Sequence, residues 1–166
     1  MIGVDYVRRM ARYNRWQNEN LYGAADRLSD EERRRERGAF FGSIQKTFSH
    51  LLWADHYWMS RLRGTPWPSM TIAESTTLYP DWTLLKSERQ TFDGEIMHWA
   101  DGLDPSWLAG DHTYFSPTLG RETSGARWMY ISHFFNHQTH HRGQVHCMLT
   151  QAGIRPADTD LPQTPV

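Results

Sequence analysis

Near the start of the chain, positions Val4, Val7, Ala11, Asn14, Asn18, Leu21, Ala25 and Leu28 recur in alternating steps of three and four. That period puts all eight on one face of a helix. Six are apolar, and the asparagine pair at the centre predicts a hydrogen-bonded network in the core or a polar site close by. Ser29-Asp30 and the charged run Glu31 to Arg37 then break the pattern. They read as a solvated helix end or a connecting loop.

A second helix is predicted from about Ser43 to Leu62, with Ile44, Phe48, Leu51, Trp58 and Leu62 on one face and Ser43 as N-cap. Asp55 stands in the middle of that apolar face. Gly64, Pro66 and Pro68 end the helix, and Pro80 closes a long connection whose Trp67 is a candidate pocket wall. Trp82, Leu85, Phe92, Ile96, Trp99 and Leu103 predict a third helix with Asp81 at its start. From Asp104 to Glu122 the pattern predicts a loop containing a short hairpin. A fourth helix is predicted from Thr123 or Ser124 to Gln151, stopped by Gly153, with Pro156 and a loosely held tail behind it. The expectation is an all-α fold, a single-domain four-helix bundle with a long loop between helices 2 and 3.

Charge removes several functions from consideration. Eighteen basic residues face nineteen acidic ones, for a formal net charge of -1, so nothing draws the chain to nucleic acid or to an anionic membrane. There is no long apolar run and no signal-peptide pattern in residues 1–10, and Cys147 is the single cysteine. These point to a soluble cytoplasmic protein with no intramolecular disulfide. Cys147 falls within an apolar helical pattern and is expected to be buried and inert. The tryptophans at helical spacing are expected in the core.

Five of the nine histidines crowd between His133 and His146. On a helix His137 and His141 lie one turn apart, with Cβ atoms about 5–6 Å from each other, so both imidazoles can address one centre. Imidazole suits zinc, nickel, copper or iron. A pair alone is weak evidence, and a third ligand from another helix strengthens it. His50, on the flank of the second helix's apolar arc, is placed to provide one, whereas His56 points the opposite way and is expected in solvent. The same face of the fourth helix carries Tyr130, His133, Gln144 and Met148. Asp55 either accepts a hydrogen bond from a ligand histidine or pairs with Arg142, Arg12 or Arg15, with Asn14 or Asn18 joining whichever network forms. His133 is expected to be a core histidine bonded to a backbone carbonyl or to Asp55. His140 is expected to support the ligands and His146 to lie on the surface.

The stretch from His133 through His137 and His141 to Gln144 resembles the fourth-helix signature of the DinB family of damage-inducible bacterial proteins. Tyr13-Asn14-Arg15-Trp16 and Ser49-His50-Leu51-Leu52-Trp53-Ala54-Asp55 resemble the same family, in order along the chain. The resemblance implies an up-down-down-up bundle, often a homodimer, holding one divalent metal ion on His50, His137 and His141, with zinc or nickel as first choices. It also implies a range of activities, from transferases and isomerases that use a low-molecular-weight thiol such as bacillithiol, mycothiol or glutathione to proteins with none known. Three neutral imidazoles leave coordination positions open, as in a catalytic rather than a structural site. The leading expectation is therefore activation of a small thiol or a water to attack a small-molecule substrate, with Asp55, His133 and Tyr130 as orienting or proton-handling groups. The alternative is a non-catalytic metal-binding protein of stress response or interaction.

Overall fold

The computed structural model describes residues 2–66, 70–116 and 119–165. Four long helices account for most of it: α1 (Val4–Ala25), α3 (Ile44–Arg63), α5 (Trp82–Asp101) and α7 (Arg127–Gln151). Between them lie the short helices α2 (Asp30–Arg34), α4 (Ile72–Ser75) and α6 (Pro105–Ala109), and an antiparallel hairpin of β1 (Asp111–Ser116) and β2 (Arg121–Ala126). The fold is thus mostly helical with one small two-stranded sheet, broadly consistent with the all-α expectation and its short hairpin.

Local chemistry sets the helix ends. Ser43 accepts from the Lys46 N–H at 3.3 Å to start α3, and Asp81 accepts from the Leu84 N–H at 2.7 Å to start α5. Gly64 and Gly153 follow α3 and α7 with φ of 68° and 77°, the left-handed conformation that glycine adopts without strain. The charged run, expected to be a solvated helix end or a connecting loop, is helical over Asp30–Arg34: Ser29 caps α2, whose acidic first turn and basic last turn both complement the helix dipole. The fourth long helix begins later than its pattern suggested, because Thr123 and Ser124 pair with Tyr114 and Thr113 across the hairpin.

α1 packs against α5 and α7, and α3 against α7 and α5, around a core that includes Val7, Leu21, Phe48, Leu52, Ile96 and Phe135. One polar network crosses this core. Arg89 of α5, fully enclosed, donates to Asp55 of α3 at 2.6 Å and pairs with Asp93 at 2.7 Å. Asp93 accepts from Asn14 and Asn18 of α1 at 2.9 and 3.0 Å, and Arg142 of α7 donates to Asn14. Two buried cations are balanced by two buried carboxylates, and all four long helices contribute.

The tail, expected to be loose, is pinned along α1. Tyr13, Gln17 and Asn20 donate to the carbonyls of Thr159, Asp158 and Ala157, and the Ala157 N–H returns a bond to Asn20. Side chains of α1 satisfy a backbone that has no ladder of its own. Cys147 is exposed, contrary to expectation, because it sits on the outer face of α7. Of the described tryptophans only Trp53 is buried; the others are half-buried against the core's edge. Trp67 and Pro68 lie outside the described residues. No described helix is long and apolar enough to cross a membrane.

Candidate metal centre

α3 presents His50, and α7 presents His137 and His141 from successive turns. Their ring centroids lie 5.6 Å (His50–His137), 4.9 Å (His50–His141) and 4.4 Å (His137–His141) apart. One nitrogen from each ring falls within 4.8 Å of the other two, so the three can hold a metal ion. The Nε2 atoms of His137 and His141 are 3.1 Å apart. Two nitrogens each 2.0–2.1 Å from one tetrahedral ion would stand about 3.3 Å apart, so the spacing suits a shared cation.

The neighbours decide which nitrogen is available. His50 Nδ1 is 2.8 Å from Ser75 Oγ, and that hydroxyl donates its only proton to the Ile72 carbonyl at 2.6 Å. Ser75 must therefore accept from His50 Nδ1–H, leaving Nε2 with a free lone pair. Gln144 does the same for His141: its amide oxygen accepts from Nδ1–H at 2.8 Å, while its NH₂ donates to His140 Nε2 at 3.3 Å. Burial pushes His50 and His137 down to about 3, and the proximity of the other rings adds to the shift. Burial also lowers His141, against an opposing contribution from Gln144. All three are neutral at ordinary pH, as ligation requires.

The residues around the trio were only partly foreseen. Ser75 reaches His50 because the long connection folds back onto α3, where Ser49 Oγ donates to the Ser75 carbonyl at 2.6 Å. Phe41, ahead of α3, lays its ring 4.0 Å from His50 and 5.4 Å from His141. Neither residue carries a sequence signal of its own; the Thr71–Glu74 capping box was the one available hint that the connection held a helix. Asp55 bonds to Arg89, not to a ligand imidazole or to Arg142, Arg12 or Arg15, and burial raises it to about 6 against the pull of that guanidinium. Asn14 joins the Asp93 and Arg142 side of the network, away from the ligand rings. His133 is exposed rather than in the core, and its ring stands edge-on to Trp58 at 4.7 Å and 6.0 Å from His137. Tyr130 is buried beneath Tyr114 and His112. His56, expected in solvent, is half-buried and stacked 3.6 Å from Phe92 of α5, and burial lowers it to about 4.

His50, His137 and His133 line a cavity of about 650 Å³ together with Trp53, Tyr57, Trp58, Tyr114 and Arg61. The DinB family model matches residues 4–166. The chain belongs to the DinB family. It is also similar to Protein DinB of Bacillus subtilis (strain 168), with 25% identity over 171 residues, covering 94% of this chain and 91% of that protein. The family match spans every element described above.

Proposed function

We propose that this DinB-family chain is a metal-dependent enzyme whose single divalent ion, zinc or nickel in the first instance, is held by His50, His137 and His141. Its four long helices form the family's up-down-down-up bundle, with the centre between α3 and α7. The observation that carries the reading is the convergence of three neutral imidazoles from two helices, two of which line an aromatic-walled cavity.

A divalent ion held there supplies Lewis acidity, lowering the pKa of a thiol or a water so that a nucleophile is available near neutral pH. The protein's part is orientation and charge. Ser75 and Gln144 turn Nε2 of His50 and His141 inward. The buried carboxylates among the described residues, Asp55 and Asp93, are committed to Arg89, so an ion on three neutral imidazoles would keep a net positive charge that favours an anionic ligand. Trp53 and Trp58 give the cavity beside the site apolar walls. A small thiol or a water would then attack an electrophilic substrate in the cavity.

The test is elemental analysis of protein purified without a histidine tag, together with His50→Ala, His137→Ala, His141→Ala and, as control, His56→Ala. The first three should lose most of the bound metal and His56→Ala should keep it; equal content in all four would refute the assignment. Turnover of a thiol with an electrophile, or of simple esters, by metal-loaded protein separates an enzyme from a non-catalytic metal carrier.

A further inference from the structure

The cavity that His50 and His137 line is also lined by a guanidinium, Arg61, about three turns along α3 from His50. Arg63, two positions along, pairs with Glu95 at 3.4 Å, whereas Arg61 has no carboxylate within ion-pair distance among the described residues. Arg61 instead lies over aromatic rings: its guanidinium carbon is 3.8 Å from the Tyr57 centroid, 4.3 Å from Tyr114 and 5.1 Å from Trp58, and it donates to the Tyr57 hydroxyl. Burial lowers its pKa, the mark of a cation partly stripped of water. Three π faces stabilise the charge but leave N–H donors of the planar fork unused. An arginine that lines a cavity with donors to spare is placed to receive an oxyanion.

Helical geometry gives the span. His50, Trp53, Tyr57 and Arg61 follow one another at steps of three and four and so share one face of α3. The Arg61 guanidinium folds back over Tyr57, which at about 1.5 Å per residue stands roughly 10 Å along the axis from His50. One cation balances one negative charge; a phosphate dianion would leave a charge uncompensated between aromatic walls.

We propose that Arg61 is the anchor for a substrate carboxylate, and that the molecules handled at the histidine centre are elongated monocarboxylates with an apolar spine. The spine lies along Trp53 and Trp58, and the reacting end reaches His50 and His137. This inference rests on the metal reading for its reacting end, while the carboxylate contact stands on Arg61 alone.

The probes are 8-mercaptooctanoate and 8-mercaptooctanol, matched in length and differing in the terminal group, titrated into metal-loaded protein and followed by tryptophan fluorescence. A charge-assisted hydrogen bond of about 1.5 kcal/mol predicts that wild type binds the acid about tenfold tighter than the alcohol. Arg61→Met should bind both at the alcohol's affinity with unchanged metal content, and Arg61→Lys, which keeps the charge but not the fork, should retain part of the preference. Equal affinity of wild type for acid and alcohol would overturn the proposal without the use of any variant, as would a full preference persisting in Arg61→Met or inorganic phosphate displacing the acid as well as octanoate does. Octanoate titrated into metal-free protein separates the two readings. If the protein takes up no ion yet binds octanoate in an Arg61-dependent way, the anchor holds and the metal assignment falls. If the ion binds but the acid preference is absent, the anchor falls and the metal assignment stands.

Discussion

A histidine can offer a cation only one of its two nitrogens while the other carries the proton, so a metal centre depends on the groups that choose between them. Here the choice is made by a serine hydroxyl and a glutamine amide. Partners of this kind typically change metal affinity by 10–100-fold. Ser75→Ala and Gln144→Leu should therefore each weaken metal binding by about tenfold in a competition titration with a chelating indicator, while circular dichroism stays that of wild type. Unchanged affinity in both would show that the imidazoles need no orientation. The sequence disclosed the His137–His141 pair because spacing of i and i+4 is a local property. It hid Ser75, which is unremarkable in sequence and meets His50 only because a helix of four residues folds back onto α3.

At the scale of elements, the capped helix ends were legible; the start of α7 and the contacts between helices were not. Ser43, Asp81 and Gly153 act within a turn of where they stand, so composition alone located them. Arg89 occupies the apolar arc between Leu85 and Phe92, and nothing local says that its charge is met by Asp55 of α3 and by Asp93 one turn on. Burial opposes the Arg89 charge, and the Asp93 and Asp55 carboxylates more than offset it, holding the guanidinium above its usual range. Arg89→Met would leave two carboxylates buried without their cation, and chemical denaturation should register a loss of about 3–5 kcal/mol. His56 was misplaced for the same reason: the arc of α3 on which it sits looks exposed until Phe92 of α5 covers it. The turn before α3 is a further case. Gly42 has φ of 81°, and an added Cβ would meet the Glu36 carboxylate. Gly42→Ala should cost about 1–3 kcal/mol through backbone strain and should disturb Phe41 over the histidine rings.

For the whole molecule, the buried titratable groups make stability depend on pH. His56 is held at about 4 in the folded chain against an ordinary value of 6.5. Between these values the unfolded chain binds a proton that the folded chain refuses, so this contribution to stability is complete above pH 6.5 and is lost as pH falls toward 4. Asp55, raised to about 6, has the opposite slope: the folded chain takes its proton first, and its contribution declines as pH rises from 3.8 to 6. His56→Phe should therefore flatten the acid side of the stability profile by about one proton between pH 6.5 and 4. Denaturation midpoints that fall as steeply in the variant as in wild type would contradict this origin.

The single bond from His50 to Ser75 also ties two events together. An ion held by His50 would need one tautomer of that ring, that tautomer needs the hydroxyl of Ser75, and the hydroxyl is in place only while residues 71–79 stay docked on Ser49. Whatever favours one end of this chain must by reciprocity favour the other. Loading the protein with metal should slow amide hydrogen exchange across residues 71–79, far along the sequence from His137 and His141, and undocking that segment should speed the ion's release.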